Sequence, residues 1–304
     1  MNIPSSHRRT FLPMCRSRLT VTLFLIFSLL SVSSASAAKV LIVGDTQYAM
    51  VADVVSEIQS TLRTYCKDYA TSEVRGRLGS IVEREEAQVV VALGTEAIGE
   101  ALRLPPGIPV VYGLVVVPPK SGRSNVTGVY MSPPVSEYSA LVRRYLPGLG
   151  KFTVVGSPHM MKNLLGSEAG RIAAYNVNSP ADLVNTINRL ADARALLLLP
   201  DANLLTGQVL SNVLLYSFRK NIPLIGVSEV SVKQGSLFAL VFDTKTICRQ
   251  IGEMVQAILN GADAEDIPPS PPKKYNLYVN SNTAHKMGID LPDEMVRKAK
   301  KVYE

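Results

Sequence analysis

From Lys39 almost to the end of the chain, short apolar runs rich in β-branched residues alternate with segments of helical period. A chain patterned this way folds as strands and helices in alternation around parallel sheets, an α/β protein. KVLIVGD (39–45) reads as a buried first strand, and Val51, Val54, Val55, Ile58 and Leu62 then share one helical face. Further strands are read in QVVVALG (88–94), IPVVYGLV (108–115), KFTVVGS (151–157), RIAAYNV (171–177), ARALLLLPD (193–201), IPLIGVS (222–228) and SLFALVFD (236–243). Helices lie between most of them, with apolar stripes at Leu183, Val184, Ile187, Leu190 and at Ile247, Ile251, Met254, Val255, Ile258. With 47% hydrophobic residues in 304, the chain has material for more than one core, and disorder is excluded.

An approximate internal repeat sharpens this. VVVALGTEAIGEAL leads to IPVVYG, and LLLLPDANLLTGQVL leads to IPLIGV. Each copy runs strand, polar turn, helix, then an Ile-Pro that opens the next strand, and Ile108 and Ile222 lie 114 residues apart (222 minus 108). Two similar, doubly wound Rossmann-like lobes would produce such a pattern.

The start of the chain has another character. Arg8, Arg9, Arg16 and Arg18, with no acidic residue among them, precede the apolar run LTVTLFLIFSLLSV (19–32), and Ala35 and Ala37 form an A-x-A pattern. This is the layout of a cleavable export signal ending at residue 38, and the run is shorter than the roughly 20 residues a spanning helix needs. Removing those four arginines lowers the formal charge from +7 to +3, so the basic balance gives no argument for nucleic acid. Cys15 precedes the apolar run, so no lipid-attachment cysteine stands at the cleavage point, and the mature protein is expected to be soluble and periplasmic. Cys66 and Cys248 remain, as a disulfide or as separate thiols.

In open parallel sheets, ligands bind beyond the carboxyl ends of the strands, where helices begin. This nominates Asp45, Thr46 and Gln47 after the first strand, Gly94, Thr95 and Glu96 after QVVVALG, Asp201 and Asn203 after LLLLP, and Ser228 and Glu229 after IPLIGV. Each of these residue types is also a common helix cap. Catalytic signatures are missing: GVSEV (226–230) lacks the last glycine of a nucleophile elbow, and neither a phosphate loop nor G-x-G-x-x-G occurs. His159 and His285 are the two histidines after residue 38, with no C-x-x-C beside them, so no metal and no cofactor are expected. The proline-rich DIPPSPPKKY (266–275) reads as a connector to a last strand, YNLYVN (275–280), and MVRKAKKVYE (295–304) as a terminal helix.

The order and spacing of ALGTEA (92–97), IPVVYG (108–113), NVTGV (125–129), LLLPDAN (197–203), IPLIGVSE (222–229), QGSLFALVFD (234–243) and LYVNSNTAHKMGIDLP (277–292) resemble the periplasmic substrate-binding proteins of ABC-type importers. The resemblance implies a type I periplasmic-binding fold: two lobes joined by three crossings, near NVTGV, near Asp243 and near Tyr275, closing on a ligand in the cleft. One lobe would take 39–127 with 244–275, the other 128–243 with 276–304. It implies a non-enzymatic, monomeric protein that passes a small, amino-acid-like ligand to an ABC permease in the inner membrane. By motif position Thr95 would serve the ligand carboxylate and Asp201 or Asp243 the ammonium. A sensory module of the same fold, signalling to a membrane receptor, is the second reading. Family members usually have a longer segment before the G-T motif and an Asp-Pro where this chain reads VVVPPK (115–120), so the first lobe is trimmed. Absence of Trp argues against a stacked sugar, although Tyr48 and Tyr112 offer rings for stacking.

Overall fold

The computed structural model describes residues 39–190 and 192–304, and the expected export signal lies outside the described residues. The first sheet contains five parallel strands in the order β2-β1-β3-β4-β5: β1 (Val40–Val43), β2 (Cys66–Tyr69), β3 (Val89–Leu93), β4 (Val110–Val115) and β5 (Val126–Tyr130). The inner strands β1 and β3 read as unbroken apolar runs because both faces of the sheet are covered there. Leu41, Val43, Val90 and Ala92 face one core, and Val40, Ile42, Val89 and Val91 the other.

The second half repeats the plan. β6 (Thr153–Gly156), β7 (Ala174–Asn176), β8 (Leu196–Leu198) and β9 (Leu224–Ile225) form a parallel sheet in the order β7-β6-β8-β9. A parallel bridge between Gly226 and Ala239 joins it to β10 (Phe238–Phe242), which pairs with β11 (Tyr275–Asn280) and, beyond that, β12 (Lys301–Tyr303). The succession 7-6-8-9-10 restates 2-1-3-4-5, the doubly wound order. The two Ile-Pro pairs have the same job in each half: Val90 N donates to Pro109 O at 3.0 Å, and Leu196 N to Pro223 O at 2.9 Å. Proline lacks an N–H, so it opens these strands through its carbonyl alone.

The helix Thr244–Leu259 returns to the first sheet, where Ile247, Cys248, Ile251 and Val255 pack with Val54, Ile58, Val111 and Val129. Ser270 then bridges Val129 before the chain leaves for β11. The NVTGV segment forms β5 inside the first sheet, and the chain leaves that sheet after Tyr130, just past the place where a crossing is expected. The terminal helix is short, Asp293–Lys298, and the chain ends in β12; Lys300 N donates to Leu277 O at 2.7 Å as the strand begins. Cys66 and Cys248 are free thiols. Among the described residues no helix is long and apolar enough to cross a membrane.

β2 carries no apolar run, and its place at the sheet edge explains why: charge there discourages pairing with another chain. Glu85 accepts from Lys67 Nζ at 2.7 Å, Tyr69 Oη at 2.7 Å and the Arg84 guanidinium at 2.9 Å. These bonds, Lys67 foremost, hold its carboxyl down to about 2. A carboxylate depressed in the folded state contributes stability above its ordinary range near 4.5, and loses it as the pH falls through about 2. Thermal unfolding followed from pH 5 to pH 2 is therefore expected to show a decline that Glu85→Gln flattens; parallel curves would exclude the effect.

Candidate ligand cleft

Between the two sheets lies a cavity of about 110 Å³. Val116, Met131, Ser132 and Pro133 line it from the end of the first sheet, and Leu199, Pro200, Val227 and Phe242 from the ends of β8, β9 and β10. Its walls are mainly apolar, with Tyr138 at the base donating a long hydrogen bond to Leu240 O at 3.5 Å. Burial pushes the Tyr138 hydroxyl pKa far up, so it stays neutral.

A β-bulge shapes the first-sheet wall. Tyr112 pairs with Gly128 and Val115 with Tyr130, so β4 spends one more residue than β5 over this stretch. Leu114 takes a left-handed backbone with φ of 55° to absorb it. Beyond the bulge, Met131 N donates to Val115 O at 2.7 Å and Ser132 N to Val116 O at 3.2 Å. The strained residue thus sits next to the cavity wall, where such strain commonly marks a functional surface.

All the nominated polar residues follow strand ends, and those of the second lobe border this cavity in the chain. Asp201 directly follows Pro200; its Oδ2 accepts from Ser157 Oγ at 2.6 Å and its Oδ1 from Asn203 N at 3.0 Å. Adjacent parallel strands β6 and β8 bring Ser157 and Asp201 together, a pairing invisible in a list of single motifs. Ser228 follows Val227 and caps the helix Glu229–Lys233 by a reciprocal bond with Ser231. Asp243 follows Phe242 and caps the helix Thr244–Leu259: its Oδ1 accepts from Thr246 N at 3.0 Å and Thr246 Oγ1 at 2.8 Å. Burial raises its carboxyl, but the Thr246 and Asn276 hydrogen bonds outweigh that and hold it below the ordinary value. Glu229 is turned toward the C-terminal strand, accepting from Tyr303 Oη at 2.5 Å with Lys301 Nζ at 3.5 Å.

The first-lobe nominees do not line the cavity. Thr46, Gln47 and Tyr48 lie exposed after β1, with Tyr48 61% accessible. Asp45 staples the next loop by accepting from Thr71 N at 3.1 Å. Gly94, at φ of 92°, opens the helix Thr95–Ala101, whose Thr95 is exposed and whose Glu96 pairs with Arg75 at 3.2 Å. Tyr112, named for stacking, is 1% exposed and belongs to the core. Sequence reasoning missed the apolar wall. Its signal was available: Val116 and Val227 carry the apolar runs of β4 and β9 past the strand ends, where a solvent-facing turn would be polar. Among the described residues no group of His, Cys, Asp and Glu could hold a metal ion.

Two doubly wound lobes with a cleft at their carboxyl edges define a type I periplasmic-binding fold. The chain belongs to the ABC transporter substrate binding protein family, whose model matches residues 81–303. Solved structures share the fold. A ligand-free, open substrate-binding protein with adhesive properties from Clostridium difficile is 16% identical, with a TM-score of 0.63 over 88% of this chain and 99% of that one. A conserved domain protein from Vibrio cholerae is 19% identical, with a TM-score of 0.57 over 88% and 99%. An ABC domain from Streptococcus pneumoniae in complex with L-Trp is 18% identical, with a TM-score of 0.55 over 88% and 100%. No curated protein matches the chain.

Proposed function

We propose that this protein, exported by its N-terminal signal, captures an amino-acid-like ligand between its lobes and delivers it to an ABC permease in the inner membrane. The observation that carries this reading is the apolar cavity bounded by both sheets, with the oriented Asp201 carboxylate next to its wall in the chain. An apolar recess accommodates a side chain, and a fixed carboxylate is the natural partner of an ammonium. Lobes of 39–130 with 244–275 and of 131–243 with 276–304 then form the two jaws.

A thermal-shift screen of the mature protein against L-amino acids and small organic acids tests the reading. A ligand at 100 times its Kd should add about 2.7 kcal/mol to the folded state. A folded protein that responds to no member of either set would overturn it.

A further inference from the structure

Among the described residues, the hydroxyl-bearing side chains that line the cavity between the sheets come from one short stretch of chain. Ser132 and Tyr138 lie where β5 gives way to the helix Val135–Tyr145, and Pro133, next to Ser132, lines the same recess. Pro133 precedes the Pro134 cap and Tyr138 is the fourth residue of the helix, two positions that pack together at a helix start. Both hydroxyl-bearing residues are buried and held in place. Ser132 N donates to Val116 O at 3.2 Å, and the Tyr138 ring packs 6.4 Å from that of Phe238.

The two hydroxyls differ in what they leave free. Tyr138 Oη gives its one proton to Leu240 O over a long 3.5 Å, so its lone pairs remain to accept. Ser132 Oγ has no hydrogen-bond partner among the described residues, yet it is not sealed from solvent, so it opens on the cavity it lines and can donate there. An acceptor and a donor in one recess match a group that donates and accepts at once, as an alcohol hydroxyl does. Charge and size narrow the match further. None of the lining side chains is charged, so a charged group would be stripped of water with no partner. The volume of about 110 Å³ is smaller than the roughly 150 Å³ in which apolar walls hold a benzene ring.

We propose that Tyr138 and Ser132 determine specificity by holding the hydroxyl of a short, uncharged aliphatic side chain, which donates to Tyr138 Oη and accepts from Ser132 Oγ. This rests on the amino-acid reading above and names the side-chain class that the recess admits. Charged side chains are excluded by the missing counter-charge, and aromatic ones by size.

The test is calorimetric binding of the twenty proteinogenic L-amino acids to the wild type, Tyr138→Phe and Ser132→Ala. L-threonine with L-valine, and L-serine with L-alanine, are the informative pairs, since each differs mainly by the hydroxyl. The expected result is that the wild type binds the hydroxyl member of a pair about tenfold or more tighter than its partner, and that each variant erases the preference by weakening that member alone. Ser132→Ala removes a hydroxyl that holds nothing in the fold, so its result stands even if Tyr138→Phe disturbs packing. If the members of both pairs bind the wild type alike, if neither variant changes the preference, or if amino acids bind but none of these four does, the assignment of Tyr138 and Ser132 falls and the amino-acid reading stands. If the wild type binds no amino acid, both fall.

Discussion

Gly128→Ala is expected to destabilise the folded protein by about 3 kcal/mol or more, a large part of the roughly 5–15 kcal/mol that holds an ordinary domain together. Gly128 sits in β5 opposite Tyr112 with φ of 157°, and an added Cβ would lie 2.3 Å from Tyr112 O and 2.6 Å from both Tyr112 N and Cγ. Two of those atoms are backbone of the adjacent strand, so no rotamer change relieves the clash. Tyr112 itself is fully packed, which removes the remaining route of escape. The strand that must give way also carries the chain toward the second lobe and borders the bulge beside the cavity. Urea denaturation measures the effect, with Gly148→Ala as the control: nothing lies within 4 Å of a Cβ there, and no left-handed backbone is required. A Gly128→Ala midpoint equal to that of the control would refute the argument.

Strand position and lobe duplication were legible because they follow from burial. A strand covered on both faces, such as β1 or β3, has to be apolar throughout, and that composition survives any reshuffling of the surface. Edge strands escape this logic. β2 (CKDY) and β12 (KVY) hold their places by one-sided pairing, and their sequences satisfy solvent as much as the sheet. β12 was read as helix because basic residues at helical spacing look alike on either backbone. NVTGV itself stays in the first sheet as β5, and its Gly128 lets Tyr112 lie against the strand.

The polar half of the site followed from the rule about strand ends, but the rule does not say which capping residues remain free. Asp243 and Glu229 have the same credentials in sequence as Asp201. In the structure the first caps a long helix and the second binds the C-terminal strand. Only the three-dimensional partner distinguishes a carboxylate placed for a ligand from one engaged in holding the fold.

Val227→Trp is expected to abolish ligand stabilisation while leaving the unliganded fold intact. Val227 is half-buried, lies two residues past the end of β9, and lines the cavity from the second lobe together with Val116 and Met131 of the first. An indole there occupies the space a ligand side chain would take, and because the position opens to solvent the ring need not be forced into a closed core. The unliganded variant should therefore unfold within about 1 kcal/mol of the wild type, as surface-proximal substitutions do. The gain of about 2.7 kcal/mol that an L-amino acid at 100 times its Kd gives the wild type should vanish. Glu229→Gln, two residues away, supplies the contrast. Its carboxylate faces Tyr303 and Lys301, so the change should loosen β12 and leave ligand stabilisation in place. A Val227→Trp protein that still responds to the ligand as the wild type does would show that binding lies elsewhere than this cavity, because the same ring cannot fill the recess and admit a second side chain.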